Sequence, residues 1–445
     1  MEIKFTQNLY RYLLECLFEI INLDVSEIKE IIIDENIKVS YNNFEIVFQK
    51  TNKQKLNEII SGKAKCLQIR SKICSHSIPI FNSNSTQLYT RINNTIILNF
   101  DVISIALIML TRYEEIVIES RDIHGRFRFK DSIAFKYDFI QYPIVDEYAF
   151  LLKDIFIVEK IIFDVKINNN AEIIPSHDID FIKISNSKKY FLKSCLKELL
   201  KGNFIIFLTQ LFRITYSLTF WNFDFCIKTI SDLININLKY RLKGQFYFMS
   251  CQESKFNNGY NSSEVMLLPI YEKIKNNDLI LGLHAGYNTY DNIDLFRKEK
   301  ENLEASTSSI IEFNRQHYLQ IDPHKTLKNV STIGIKVDSS LGYAEHEGFR
   351  CGTCIPYYFY DYTLDKQLDL KIYPLIIMDV TLIDYRKLTV EDSYLSILDK
   401  YNIVNKVGGK FTILIHNTTI FTNPDWFHNV YIKFLNHVCV SKKLL

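Results

Sequence analysis

Two aspartates, Asp178 and Asp180 in the segment SHDID, close an apolar run with one residue between them. In an extended strand, side chains two apart share a face. Both carboxylates therefore crowd one side, and a divalent cation or a nearby arginine is the natural compensation for their repulsion. Two histidines stand in comparable settings, His284 at the end of LILGLHAG and His416 at the end of FTILIHNT. Neutral imidazole is the commonest side-chain ligand of transition metals, and imidazole near neutral pKa is the commonest general acid or base. Arg315 and His317 in IIEFNRQHYL, Asp338 in IGIKVDSSLG and Asp379 in IYPLIIMDV also fall at or just beyond the downstream end of an apolar run. Taken singly, each is an ordinary strand-end cap. Six of seven such runs carrying Asp, His or Arg at the same end argue for a shared site.

The elements that must position these residues begin near Ala171, where short apolar runs alternate with helix-like segments such as DLFRKEKENLEASTSSI and TVEDSYLSILDKYNIVNKV, the latter opening on a Thr389/Asp392 capping spacing. Alternating strand and helix predicts a parallel sheet, and ligands of such sheets gather at the carboxyl ends of the strands. Residues 171–445 number about 275, close to the ~250 of a β/α barrel. Upstream, 1–170 mixes signals. NIKVSYNNFEIVFQ at 36–49 alternates as a half-buried strand, DVISIALIMLTRYEE reads as a helix capped by Asp101, and SRDIHGRFRFKDS is turn-like around Gly125. We expect a mixed α+β accessory domain over 1–170 and an α/β unit of about seven strands over 171–445.

Composition sets limits. Apolar residues make up 47% of the 445 and charged residues 23%, which excludes disordered and collagen-like chains. Lysine and arginine total 53 against 51 acidic residues, a formal charge of +2, so no global field favours nucleic acid. The nine scattered cysteines do not form a dense disulfide framework, and MEIKFTQNLYRYLLECLFEI does not read as a secretory signal. Reduced thiols and a cytoplasmic address are the expectation.

The order of the reactive residues resembles the polysaccharide deacetylases of carbohydrate esterase family 4, which have a deformed (β/α) barrel and five ordered motifs. Asp178 and Asp180 are similar to the first motif, with its base and metal-binding aspartates. His284 in HAGYN matches the first histidine of the second, Arg315 to Tyr318 resemble the third, Arg-x-x-Tyr, Asp338 fits the fourth, and Leu414 with His416 matches the fifth. Longer stretches narrow the resemblance to a bacterial subgroup carrying an extra N-terminal domain: TRYEE at 111–115, RDIHGRF at 121–127, PIVDEYAFLL at 143–152, RQHYL at 315–319 and GYAEHEGFRCGTC at 342–354.

The resemblance implies hydrolysis of the acetamido group of a sugar or glycan precursor in surface-polysaccharide metabolism. It implies a divalent metal, zinc foremost, held by Asp180 and His284. Asp178 would take a proton from water, His416 would give one to the departing amine, Asp338 would orient His416, and Arg315 would orient Asp178 or touch substrate. Tyr318, Tyr343 and Asp379 would bind substrate. One position departs from the pattern: Asn288 stands where the family has its second histidine, and an amide oxygen is a poorer zinc ligand than imidazole. His317 or water could complete the site, or no metal binds, and a catalytically inactive deacetylase-like carbohydrate-binding or scaffold protein is the alternative reading.

Other signals are weaker. Cys351-Gly-Thr-Cys354 lacks the second CxxC of a structural zinc site. No glycine-rich phosphate loop, serine elbow or His-Glu-x-x-His occurs. The stretch 182–221 holds seven Lys/Arg against one Glu up to Arg213, then aromatics up to Trp221. It reads first as a lid inserted after the Asp178/Asp180 strand, and second as an interfacial segment meeting anionic lipid.

Overall fold

The period-two alternation at 36–49 folds as two strands rather than one. In the computed structural model, which describes residues 4–73, 75–83, 85–162, 170–220, 224–251 and 254–440, β1 (Ile28–Ile33), β2 (Asn36–Tyr41) and β3 (Phe44–Gln49) form a meander. The β2–β3 turn uses Asn42 at φ 53°, a left-handed conformation asparagine tolerates. After a separate hairpin of β4 (Cys66–Arg70) and β5 (Ser77–Phe81), β6 (Tyr89–Ile92) and β7 (Thr95–Leu98) complete a five-stranded sheet of order β1-β2-β3-β7-β6. The helix expected after Asp101 spans Val102–Thr111, with the Asp101 carboxylate accepting the Ser104 backbone N–H at 2.9 Å. Every residue of that helix is buried. Cys16, Cys66, Cys195, Cys226, Cys251, Cys351 and Cys354 are in no disulfide; Cys74 lies outside the described residues, as does Trp221.

All seven apolar runs become strands of one sheet: β8 (Glu172–Ile179), β9 (Gln245–Phe248), β10 (Ile280–Ala285), β11 (Phe313–Gln316), β12 (Val337–Asp338), β15 (Ile377–Met378) and β16 (Lys410–Leu414). Two more strands, β13 (Tyr357–Asp361) and β14 (Lys366–Ile372), form an antiparallel hairpin whose second strand pairs in parallel with β12, so the sheet has nine strands rather than about seven. Its order is β13-β14-β12-β11-β10-β9-β8-β16-β15. The chain passes from β14 near one end to β15 at the other through residues 373–376 alone. The five steps from Ile372 to Ile377 reach no further than about 18 Å, so the sheet must curl. The gap between β12 and β15 is bridged by loop backbone, with the Leu375 and Gly348 N–H groups donating to the Leu341 and Ile376 carbonyls at 3.1 and 3.0 Å. The result is a half-barrel closed by a loop.

Buried apolar side chains of the N-terminal helices and of the barrel belong to one contiguous cluster. At this seam the longer signature segments meet. The Arg112 guanidinium donates to Glu114 at 2.6 Å and Glu115 at 2.8 Å, and Arg350 donates to both Glu115 oxygens at 3.0 and 2.7 Å. Glu114 also accepts the Ile133 N–H at 2.8 Å, and Arg350 donates to the Gly342 carbonyl at 2.9 Å. Asp146 from PIVDEYAFLL accepts from the Thr353 hydroxyl at 2.6 Å and the Cys354 N–H at 2.9 Å. Gly348, at φ 132°, lies against the Ile140 carbonyl where a Cβ would collide. The signature thus encodes the contact between the N-terminal segment and the barrel.

Candidate active site

Strand periodicity carries Asp178 and Asp180 to the same side of β8 at its carboxyl end, while His177 between them faces away, bonded to the Ile415 carbonyl at 3.1 Å and the Asn237 amide at 2.9 Å. Two strands over, β10 delivers His284. Its Nε2 lies 3.2 Å from Asp180 Oδ1 and 3.6 Å from Asp178 Oδ2. His317 follows β11, with Nε2 4.0 Å from Asp180 Oδ1, and His416 follows β16, with Nε2 3.9 Å from Asp180 Oδ2. These five residues share a cavity of about 310 Å³ with Tyr318, Arg126, Tyr190 and Tyr385.

Hydrogen bonds on the far side of each ring set its tautomer. His284 Nδ1 donates to the Arg315 carbonyl at 2.9 Å, leaving Nε2 aimed at the aspartates. His317 Nδ1 donates to Asn257 Oδ1 at 3.1 Å, an oxygen that also accepts the Tyr287 N–H. Burial lowers the His317 pKa to about 3, which keeps a lone pair on Nε2. For His284, burial favours the neutral ring but Asp178 and Asp180 outweigh it and raise the pKa. Burial works against the Asp180 carboxylate too, yet His284, His416 and His317 hold it well below the usual range. Asp178 Oδ1, Asp180 Oδ1 and His284 Nε2 are buried without hydrogen-bond partners.

One ligand atom each from Asp180, His284 and His317 lie within 4.8 Å of one another. Two imidazoles and a carboxylate, oriented by second-sphere hydrogen bonds and carrying unpartnered inward lone pairs, fit a divalent cation with an open coordination position. Asn288 does not contribute. It is exposed on the short turn Tyr287–Thr289, and His317 from the neighbouring strand supplies the third donor in its place.

His416 is oriented by Asp379, not Asp338. Its Nδ1 and backbone N–H donate to Asp379 Oδ1 and Oδ2 at 2.7 and 2.8 Å, and the Thr419 hydroxyl donates to the same carboxylate. The sheet order gives the reason: β15 and β16 are neighbours, with Met378 beside Leu414, whereas β12 lies four strands beyond β16's other neighbour. Burial opposes charge on His416, but Asp379, Asp180 and Asp178 push its pKa up to about 10. Asp379 is fully buried in this role rather than open to substrate. Asp338 instead accepts from the Asn314 amide at 2.7 Å and the Ser340 N–H at 2.8 Å.

Two other expectations change. Arg315 is fully buried below the site, donating to the Ser176 and Ser339 hydroxyls at 3.0 and 3.1 Å over the Tyr247 ring, and makes no hydrogen bond to Asp178. Tyr343 lies at the seam under Arg350, away from the cavity. Tyr318 does line the cavity, with φ 60°, a left-handed conformation uncommon for a tyrosine. Arg126 of the RDIHGRF segment pins that turn by donating to the Tyr318 carbonyl at 3.0 Å and to the Tyr385 hydroxyl at 3.1 Å. Arg126 and Tyr385 are wall residues that motif order alone did not single out; the RDIHGRF match was the available signal for Arg126.

The model of a family of unknown function, DUF7033, matches residues 2–160. No curated protein matches the chain. Among solved structures, the chain is similar to one described as a polysaccharide deacetylase from Mycobacterium smegmatis, at 15% identity and a TM-score of 0.38, covering 62% of this chain and 86% of that one. It is also similar to a mutant of a carbohydrate esterase family 4 pseudoenzyme with restored activity, at 9% identity and a TM-score of 0.30, covering 61% of this chain and 65% of that one. Likeness at this level extends to neither activity nor substrate.

Proposed function

We propose that the protein is a metal-dependent hydrolase that removes the acetyl group from an N-acetylated sugar or glycan precursor. The observation that carries the reading is the convergence of unpartnered Asp180 Oδ1, His284 Nε2 and Asp178 Oδ1 on one cavity that also holds His317 and His416. Asp180, His284 and His317 would hold the cation, for which zinc suits the donor set. When bound, such an ion polarises the acetyl carbonyl and lowers the pKa of a water molecule.

The chain's own residues do the rest. Asp178, buried and with Oδ1 free, accepts the proton of the attacking water. Water oxygen bonds to the acyl carbon, the carbon–nitrogen bond breaks, and acetate and a free amine result. His416, held protonated by Asp379, gives its Nε2 proton to the departing nitrogen. Tyr318, Tyr190 and Tyr385 offer ring surface to a sugar.

Acetate release from a panel of N-acetylated sugars, with zinc supplied, tests the reading. Release by the wild type that Asp178→Asn abolishes supports it. Zinc bound at one equivalent with no acetate released from any sugar favours the inactive sugar-binding alternative, and no zinc bound at all removes the chemical basis of both the ion and the reaction.

A further inference from the structure

After β8 the chain makes a helical hairpin of Lys188–Leu200 and Phe204–Thr219. Its inner side packs on the barrel through Phe191, Cys195 and Ile214, with the Phe191 ring 5.3 Å from Phe421. The second helix is inside out. Phe204, Ile205, Leu208, Leu211, Phe212 and Leu218 recur at helical spacing and face outward, 39–82% exposed, while Gln210 faces inward at 1% and donates its amide to the Phe421 carbonyl at 2.7 Å. The first helix adds Leu192, Leu196 and Leu200 one turn apart. Eleven of the twenty-five large apolar side chains exposed among the described residues lie between Tyr190 and Phe220. A helix beside water shows the opposite arrangement, and so concentrated a patch marks an interaction surface.

Two observations say what covers it. Lys188, Lys189 and Lys193 beside the leucine ridge are exposed, with no carboxylate partner among the described residues, while the hairpin's glutamate, Glu198, is buried and taken by Lys201 at 2.6 Å and Asn203 at 2.7 Å. The outer hydroxyls of Thr209, Thr215 and Thr219 each donate one turn back to the Ile205, Leu211 and Thr215 carbonyls at 2.8, 2.5 and 2.8 Å, so these groups ask nothing of water.

We propose that this face docks on an anionic lipid bilayer, with the apolar side chains in the headgroup–acyl boundary and the lysines on lipid phosphates. Among the described residues no helix is long and apolar enough to cross a membrane, which agrees with lying on one. A second copy packed face to face would set these unpaired lysines near one another, a like-charge approach that an anionic surface avoids. Tyr190 of the hairpin also lines the active-site cavity, so docking holds that cavity beside the headgroups.

Sedimentation of the full chain with phosphatidylcholine vesicles, with and without phosphatidylglycerol, tests the proposal. The wild type is expected to pellet with the anionic vesicles. Replacing Lys188, Lys189 and Lys193 by alanine is expected to weaken binding about fivefold per lysine and to remove the preference for phosphatidylglycerol. Ile205→Asp with Leu208→Asp and Phe212→Asp is expected to abolish binding. In the otherwise unaltered chain, Leu208→Trp reports a blue-shifted emission on adding anionic vesicles. A wild type that stays in the supernatant, an unshifted Leu208→Trp spectrum, or a dimer in sedimentation equilibrium that the aspartates dissolve overturns the proposal.

Discussion

Two clusters of buried charge stand at opposite ends of a scale. At the seam, Arg112, Glu114, Glu115 and Arg350 sit at or below 4% exposure, and each carboxylate has hydrogen-bonding donors. Burial alone would raise the Glu115 pKa, but Arg350 and Arg112 hold it at about 2. At the rim, Asp178 and His284 are as secluded and Asp180 only partly buried, yet Asp178 Oδ1, Asp180 Oδ1 and His284 Nε2 turn toward a cavity without a hydrogen bond, held by the attraction between carboxylates and imidazoles. Desolvated charge that lacks its hydrogen bonds is costly to maintain. A fold that sustains it gains the cost back from packing elsewhere and is ready for a ligand. Satisfied burial reads as architecture, and unsatisfied convergent burial as a site.

The comparison can be broken at either end. The largest effects are expected from single removals. Asp178→Asn should lower acetate release by about 10²–10⁴-fold while the zinc content of the purified protein is unchanged. Glu115→Gln should instead cost about 3–5 kcal/mol in chemical denaturation, by leaving Arg350 without a carboxylate and Arg112 with Glu114 alone, and zinc stoichiometry should be unaltered. Next comes the ion itself. Zinc at about 100 times its dissociation constant should stabilise the wild type by about 2.7 kcal/mol, and a chelator should reverse the gain. The same addition to an Asp180→Ala, His284→Ala double variant should leave the thermal midpoint where it was.

Smaller effects sharpen the contrast. Burial raises Asp146 to about 7, against an ordinary aspartate near 3.8. The folded state therefore holds this proton more tightly than the unfolded one. The stability it contributes is complete below about pH 4 and lost as the pH rises to about 7, a change on the order of 2–4 kcal/mol. Asp146→Asn should flatten that slope in denaturation curves taken from pH 4 to 8. Last, Asp379→Asn should shift the pH–rate profile of acetate release toward lower pH by weakening the hold on His416, whereas Asp338→Asn should leave the profile in place.

The carboxyl-terminal ends of the seven strands were legible because hydrophobic runs stop where the chain leaves the sheet, and a parallel sheet puts all such ends on one rim. Asp178 with Asp180 was legible for a still more local reason, the two-residue repeat of a strand. Asn288 and Asp338 misled because motif order records sequence position and not sheet position. His317 and Asn288 are both near a strand end, but only the turn through Tyr318 brings an imidazole to Asp180. The β13–β14 hairpin went unseen, although β13 ends on Asp361, because its two strands are antiparallel and joined by a tight turn, outside the strand–helix alternation that marked the other runs.

By itself the sequence determined which side chains share a strand face, where helices start at Asp101 and Thr389, and that reactive groups lie together at one end of the runs. These follow from local geometry over a few residues. Which aspartate supports His416, which third donor joins Asp180 and His284, and how Arg126 reaches the cavity from the N-terminal segment were decided only by the tertiary structure. Each depends on which strands lie side by side in the curled sheet, and residues distant along the chain become neighbours only when the whole core closes.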